Sequence, residues 1–181
     1  MRCFALLSMD YRLMRRVIII LCCICLLGIS IKSNAQSVAI STNLMEYLIL
    51  SPNIEVECAL TQHHAAAISV SAAPWRVNRK YSISHISISP EYKYWFKMPF
   101  YGQYVGADIE YNSYDVYWKS TGYDGHLLSG GVTYGWSFII DKKWNLVPNI
   151  GVGVGADFHP SSIKFVPLVA KIGLNLQMLI R

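Results

Sequence analysis

After its first 35 residues the chain has almost no cysteine. Four of the five cysteines lie before residue 36, and only Cys58 lies after it. A single cysteine excludes an internal disulfide in the main body of the chain. No part of that body shows a convincing helical period either, apart from one short turn predicted within Leu44–Leu50. Stability must therefore come from packing or from a closed hydrogen-bonded sheet.

The main body also lacks an excess of charge of either sign. The formal charge of the whole chain is +5, but residues 1–35 hold five of the sixteen Lys and Arg and one of the eleven Asp and Glu. The other 146 residues therefore carry eleven basic and ten acidic side chains. Such a balance gives no support to a nucleic-acid partner.

The N-terminus has the organisation of a secretory signal. Residues 1–16 contain four arginines, residues 17–31 are apolar except for Gly28 and Ser30, and small residues flank Asn34. This pattern predicts a cleavable Sec signal peptide over 1–35, cut between Ala35 and Gln36, which leaves one β-barrel domain over 36–181. An uncleaved inner-membrane anchor is the alternative, although the apolar run is short for a spanning helix.

Segments of alternating apolar and polar residues recur along the main body, separated by turn-forming residues. They predict eight strands, at about 37–44, 53–60, 65–74, 83–96, 103–116, 126–140, 144–158 and 163–180. In the last segment every second residue from Val166 to Ile180 is apolar, which predicts an unbroken apolar face. We expect this strand to pair with residues near Val38–Thr42 and close the sheet.

Strands of this length, downstream of a secretory signal, favour an all-β fold: an eight-stranded antiparallel outer-membrane β-barrel with a polar, plugged lumen. Short connections at 61–64, 97–102 and 141–143 alternate with longer ones at 75–82 and 112–125, and an even strand number places both termini on the periplasmic side. A soluble sandwich or barrel is the alternative. Pro90, Pro148 and Pro167 fall inside predicted strands and are expected at bulges or near a rim.

Several motifs resemble an uncharacterised Bacteroidetes outer-membrane family, domain of unknown function 3575. They are Ser41-Thr42-Asn43-Leu44, Asn53-Ile54-Glu55-Val56-Glu57, Ala73-Pro74-Trp75, Pro90-Glu91-Tyr92-Lys93-Tyr94-Trp95-Phe96, Gly102-Gln103-Tyr104-Val105-Gly106 and Lys143-Trp144-Asn145-Leu146. The resemblance implies an outer-membrane barrel of unassigned function, in a family often associated with fimbrial and surface assembly. It supplies no catalytic residues. The chain departs from the family at Ala73, where asparagine is usual, and in a short final loop at 159–162.

The polar sides of the strands predict a lumen network. Its candidate members are Glu55, Glu57, Glu91, Lys93, Asp108, Glu110 and Lys171. If Phe96 pairs with Gln103 across the 97–102 turn, Glu91 faces Asp108, and Lys93 lies diagonally within reach of Glu110. Adjacent carboxylates can serve acid–base chemistry, but a salt-bridged plug is the expected role in so narrow a barrel.

Other candidates for chemistry are weak. His126 and Ser129 invite comparison with lipid-modifying hydrolases, yet their difference in parity places them on opposite faces of a strand. The pair His63 and His64 lacks the spacing of metal ligands. We therefore predict no metal, no cofactor and no enzymatic activity, with a lipid-modifying enzyme and a small-solute channel as the alternatives.

Aromatic residues concentrate in the longer connections and form the candidate contact set. They are Trp75, Tyr81, Tyr114, Tyr117, Trp118 and Tyr123. Aromatic residues form interfacial girdles in outer-membrane barrels, and they also anchor protein and sugar contacts. The predicted role is structural or interaction-based, with the outer loops contacting a surface protein or glycan. Outer-membrane lipid and the barrel-assembly machinery are the other expected partners, and the expected location is the outer membrane of a Gram-negative bacterium.

Overall fold

The computed structural model describes residues 38–78, 81–118, 121–159 and 162–180. Within 74–83 and 116–123 it describes the backbone of these residues and not their side chains. The predicted signal peptide lies outside these residues. The described elements are β1 (Val38–Asn43), α1 (Leu44–Tyr47), β2 (Asn53–Ala59), β3 (His64–Asn78), β4 (Tyr81–Trp95), β5 (Gly102–Trp118), β6 (Thr121–Ile139), β7 (Trp144–His159) and β8 (Ser162–Ile180). The eight predicted strands and the short helical turn are confirmed.

The strands form a closed antiparallel barrel in which each strand pairs with the next and β8 returns to β1. The closing register runs from Val38 opposite Ile180 to Asn43 opposite Asn175. The predicted pairing of the final strand with the first is therefore confirmed. Between β4 and β5, Glu91 is opposite Asp108 and Trp95 is opposite Tyr104, as the 97–102 turn predicts.

The two faces of the wall differ sharply in exposure. On β5, Asp108 is 6% exposed on the inner face, whereas its neighbour Ile109 is 60% exposed on the outer face. Val132 on β6 and Val152 on β7 pair with each other on the same outer face and are exposed as well. The barrel therefore carries its apolar side chains outward and its polar ones inward, because successive side chains of a strand point to opposite faces.

Pro167 sits at a β-bulge, as predicted. Gly153 pairs with Val169 but Gly155 pairs with Val166, so Pro167 and Leu168 together oppose the single residue Val154. A bulge of this kind leaves one residue without a ladder position, which suits a residue that has no N–H to donate. It also corrects the predicted apolar face of β8, because Val166 shares the inner face with Gly155.

Pro90 and Pro148 behave differently from the prediction. The β4–β5 ladder omits Ser89 and Pro90, and the β6–β7 ladder omits Val147 and Pro148. The register is the same on both sides of each interruption, so neither proline forms a bulge. Each proline keeps its place in the ladder on its other side, opposite Ile68 and Leu174 respectively. The missing N–H is accommodated by a local break in pairing on one side only.

The longer predicted connections are mostly strand. β3 ends at Asn78 and β4 begins at Tyr81. In the next hairpin, β5 ends at Trp118 and β6 begins at Thr121. These connections are therefore shorter than the predicted 75–82 and 112–125. Three long hairpins rise from the wall on this side, whereas the connections on the opposite side span only 60–63, 96–101 and 140–143.

β1 and β2 are much shorter than the six strands that follow. β8 continues back from Leu174 to Ser162 beyond the end of its pairing with β1, and β3 continues from Ala72 to Asn78 beyond β2. The Asn43 side chain closes the pairing by accepting hydrogen bonds from the N–H groups of Met45 and Leu174, each at 3.1 Å. The wall above β1 and β2 is occupied by the connector 44–52 in place of paired strands.

The inside of the barrel is filled on the side of the short connections. Trp95, Phe100, Tyr104, Val147 and Leu179 are buried together there. Eight strands enclose a lumen that side chains can fill, so this end of the barrel is plugged, as predicted. Within the described residues, no helix has the length and apolar character needed to cross a membrane.

Candidate functional site

The first ion-pair cluster surrounds Lys93 on β4. Its ammonium Nζ lies 2.8 Å from Glu55 Oε1, 2.9 Å from Glu57 Oε2 and 3.6 Å from Glu91 Oε2. Glu57 is 1% exposed and also accepts hydrogen bonds from Trp95 Nε1 at 2.9 Å and Gln177 Nε2 at 3.3 Å. Charge and hydrogen bonds thus compensate the burial of this carboxylate.

The reach of Lys93 depends on small residues in the strand between it and its partners. Ala65 on β3 is opposite Lys93, and Ala67 is opposite both Glu57 on β2 and Glu91 on β4. Both alanines are buried on the inner face. Because they leave space, the Lys93 side chain crosses β3 to reach β2.

The second ion-pair cluster surrounds Lys171 on β8. Its ammonium bonds Asp108 and lies 2.8 Å from Glu110 Oε2, both on β5. Here the intervening strands carry glycines on their inner faces: Gly151 is opposite Lys171, and Gly131 is opposite Asp108. A Cβ on Gly151 would meet Thr133 Cγ2 at 2.8 Å and Lys171 Cβ at 3.4 Å. These glycines leave space on the inner face for the larger side chains beside them.

The structure brings all seven predicted lumen residues into these two clusters. Lys93 and Glu110, which the register argument places within reach of each other, belong to different clusters. That expected contact is wrong because each lysine finds carboxylates on strands two or three positions away around the barrel. A flat ladder of neighbouring strands does not show such partners, since they meet only when the sheet curves.

A cavity of about 380 Å³ lies in the lumen beside the two clusters. Its acidic lining residues are Glu46, Glu55, Glu91, Asp108 and Glu110, and Lys171 is the basic one. Hydroxyl and amide side chains supply most of the remaining wall. The lining also includes Ile49 of the connector and Ala170 and Ile172 of the outer face of β8. The cavity therefore reaches the edge of the wall above the short strands β1 and β2.

The connector 44–52 forms part of this cavity. Ser51 is fully buried, and its Oγ lies 2.9 Å from His85 Nε2 on β4. Glu46 of α1 accepts a hydrogen bond from Asn43 Nδ2 at 3.3 Å through Oε1. Burial raises the pKa of Glu46 above its ordinary value, and the charges of Glu110 and Glu55 act in the same direction, whereas hydrogen bonds with Asn43 and Ser71 partly offset the rise.

Comparison with known proteins places the chain in a family. The profile of a protein family of unknown function, DUF3575, matches residues 19–160. The chain belongs to this family. The resemblance seen in the sequence motifs is thereby confirmed. No curated protein sequence matches the chain.

Two solved structures are similar to this DUF3575 chain. The N-terminal β-barrel domain of Pseudomonas aeruginosa OprF is 13% identical, with a TM-score of 0.51, and the match covers 80% of this chain and 97% of that domain. The Neisserial surface protein A is 14% identical, with a TM-score of 0.47, and the match covers 80% of this chain and 94% of that protein. At this identity the likeness to the OprF domain supports the fold alone: an eight-stranded barrel of the outer-membrane type.

The predicted contact residues lie in the strand hairpins of this DUF3575 barrel. Five of them lie in strands whose backbone is described but whose side chains at these positions are not. They are Trp75 on β3, Tyr81 on β4, Tyr117 and Trp118 on β5, and Tyr123 on β6. Tyr114 is the member of the set whose side chain is described. Its hydroxyl donates to the carboxylate of Asp157 on β7, at 2.9 Å and 2.8 Å from the two oxygens, so it spans the inside of the barrel.

Local contacts account for His126 and His63, two of the histidines outside the cavity. His126 lies on the outer face, with Nδ1 2.9 Å from the Tyr111 hydroxyl, whereas Ser129 is buried on the inner face. Their predicted separation is confirmed. His63 Nδ1 lies 3.0 Å from the Trp95 carbonyl at the end of β4. In the described part of the chain, no three His, Cys, Asp or Glu residues come together in a way that would hold a metal ion.

Proposed function

We propose that this chain is an outer-membrane β-barrel with a structural or surface-interaction role, exported by a signal peptide that is cleaved after Ala35. The observation that carries the proposal is the outward apolar belt. Ile109, Val132, Val152 and Ile172 are each more than half exposed, and they lie on strands β5 to β8 at the middle of the barrel wall. Lipid is the solvent that suits such a belt around a closed sheet.

The proposed partner-binding part is the set of three long hairpins. In the proposed orientation, the termini and the short connections face the periplasm, and the hairpins β3–β4, β5–β6 and β7–β8 extend to the cell surface. The β5–β6 hairpin contains Tyr117, Trp118 and Tyr123 of the predicted contact set. Aromatic residues contribute strongly to protein and glycan interfaces, so a surface protein or a glycan is the proposed partner. Barrel-assembly machinery is the proposed partner during insertion.

The lipid belt can be tested with two neighbouring residues. In a Cys58→Ser background, Ile109→Cys and Glu110→Cys each receive a nitroxide label, and the protein is reconstituted in vesicles. We expect the label at 109 to be reached by oxygen, which partitions into lipid, and the label at 110 by a water-soluble quencher. The gel mobility of each unheated sample serves as the folding control. Equal access of the aqueous quencher to both labels would contradict a membrane location.

The orientation is tested with epitope tags. One tag is inserted between Lys119 and Ser120, and a matched tag is inserted between Lys142 and Lys143 in the β6–β7 connection. On intact cells, an antibody should bind the first tag and not the second, and permeabilised cells should expose both. A photo-crosslinking residue at Trp118 should then capture the surface partner, while the same residue at Lys142 should not. Antibody access to the second tag on intact cells would reverse the proposed orientation.

The alternatives receive less support from the geometry. His126 and Ser129 lie on opposite faces of β6, so an enzyme built on that pair would lack a general base beside its nucleophile. We expect substitution of both residues to leave the lipid A profile unchanged. The buried ring cluster of Trp95, Phe100 and Tyr104 fills one end of the lumen. We therefore expect no stable single-channel conductance in planar bilayers.

A further inference from the structure

The lumen is far more acidic than the chain as a whole. The two ion-pair clusters and the cavity between them contain six carboxylates, at Glu46, Glu55, Glu57, Glu91, Asp108 and Glu110. Lys93 and Lys171 are their ammonium partners in the described part of the chain. The formal balance of this interior is four negative charges, and His85 and Tyr104 are the other titratable side chains of the lining. Buried charge of one sign is costly unless a partner of opposite sign compensates it.

A second observation concerns hydrogen-bond acceptors that line the same cavity. Asn175 is 8% exposed, and its Oδ1 accepts no hydrogen bond from any described residue. Three other acceptor atoms also lack a hydrogen bond from any described residue: Asp108 Oδ1, Asn112 Oδ1 and Glu46 Oε2. The other carboxylate oxygen of Asp108 is bound by Lys171. Buried polar atoms are normally hydrogen-bonded. All four atoms are acceptors, so the group that would complete them is a donor.

From these observations we infer that the cavity binds a linear organic amine with two or more ammonium groups. An ammonium group carries three donors and no acceptor, which matches a wall of unpaired acceptors with an excess of negative charge. The carboxylates lie on four separate elements, the connector, β2, β4 and β5, and do not converge as the ligands of a single metal ion do. Ammonium groups spaced along a chain fit such a distribution. A volume of about 380 Å³ falls in the range of small-molecule sites.

Apolar side chains line one side of the cavity, at the edge of the wall above β1 and β2. They are Ile49 of the connector and the outer-face residues Ala170 and Ile172 of β8. The methylene spacers of a linear amine can contact these side chains while its ammonium groups reach Glu46 and Glu110. This inference goes beyond the proposed surface role and stands independently of it.

The test is calorimetric titration of spermidine into the folded full-length mature barrel in detergent at low salt. We expect saturable binding of one spermidine per barrel. 1,4-Butanediol, which has a similar spacer and no charge, should not bind. Glu46→Gln and Glu110→Gln keep the side-chain size, remove one charge each and should weaken binding about tenfold or more. Asp141→Asn removes a carboxylate from the β6–β7 connection, far from the cavity, and should leave the affinity unchanged.

Several results would overturn the inference. These are heats that do not saturate, the same affinity in wild type and both cavity variants, an equal loss in Asp141→Asn, or displacement of spermidine by an equal concentration of MgCl2. Unheated gel mobility identifies any variant that does not fold. The two cavity substitutions lie on different elements, so failure of one to fold leaves the other as the test.

Discussion

Removal of the Lys93 ammonium tests the buried ion-pair cluster most directly. Lys93→Met keeps an unbranched side chain that is one atom shorter, and it leaves Glu55, Glu57 and Glu91 without their common cation. Lys93 is 2% exposed and Glu57 is 1% exposed, so water cannot replace the lost partner without entering the plug. Breaking a buried ion pair from one side costs about 3–5 kcal/mol. We expect a loss near the lower end of this range, because Trp95 and Gln177 still donate hydrogen bonds to Glu57.

The assay is reversible urea unfolding in lipid vesicles, followed by tryptophan fluorescence and by gel mobility. Lys142→Met, in the exposed β6–β7 connection, is the matched control and should change the free energy of unfolding by less than about 0.5 kcal/mol. The double variant Lys93→Met/Glu57→Gln removes one of the uncompensated charges and should be more stable than Lys93→Met alone. A Lys93→Met barrel within about 0.5 kcal/mol of wild type would refute this account of the cluster, and so would strict additivity of the two substitutions.

Three further outcomes follow from the wall and the connector. Gly153→Ala should destabilise the barrel by about 1–3 kcal/mol, since the new Cβ would meet the Gly130 carbonyl oxygen at 2.5 Å. Gly130→Ala is the control and should be almost neutral in the same urea assay, because the nearest atom to its Cβ would be the Asp108 carbonyl oxygen at 3.6 Å. Asn43→Ala should cost about 1 kcal/mol through loss of the caps on Met45 and Leu174, with faster amide exchange at Leu174 as the specific readout. Burial raises the pKa of Glu46, so ionisation of this carboxyl opposes folding as pH rises. The free energy of unfolding of Glu46→Gln should therefore increase relative to that of wild type between pH 4 and pH 8. A difference that stays constant across this range would contradict the prediction.

The strand register could be read from the sequence because short turns fix it. Once Phe96 is placed opposite Gln103, the pairing of Glu91 with Asp108 follows by counting, and it extends without a shift to Tyr81 opposite Trp118. The bulge at Pro167 could be expected from the proline. Its effect on Val166 was missed, because one extra residue changes the face of every residue on one side of it.

The ends of the hairpin strands are harder to predict than their centres, for a physical reason. In β5, Asn112, Ser113 and Asp115 place polar side chains on both faces, so hydrophobic alternation disappears although the backbone pairing continues. Alternation reports the difference between the environments of two faces, and it cannot report a strand whose faces share one environment.

The ion-pair partners and the cavity depend on curvature, which a strand-by-strand pattern does not contain. Small inner-face residues such as Ala65, Ala67 and Gly151 were the available signal, because a lysine can cross a strand only where that strand leaves space. The cavity depends further on the shortness of β1 and β2, which leaves the connector 44–52 in place of paired wall.

The near-neutral charge of the predicted mature chain conceals a strong separation of charge. Six of its ten carboxylates line the cavity or belong to the two ion-pair clusters beside it, and Lys93 and Lys171 join them there. A barrel that needed only a plug could fill this space with matched pairs or with apolar side chains at lower cost, since buried ion pairs add little net stability. The excess of carboxylates is therefore better explained by a cation that binds there than by the needs of the fold, and Glu46, which has no ammonium partner among the described residues, is the position where that distinction is sharpest.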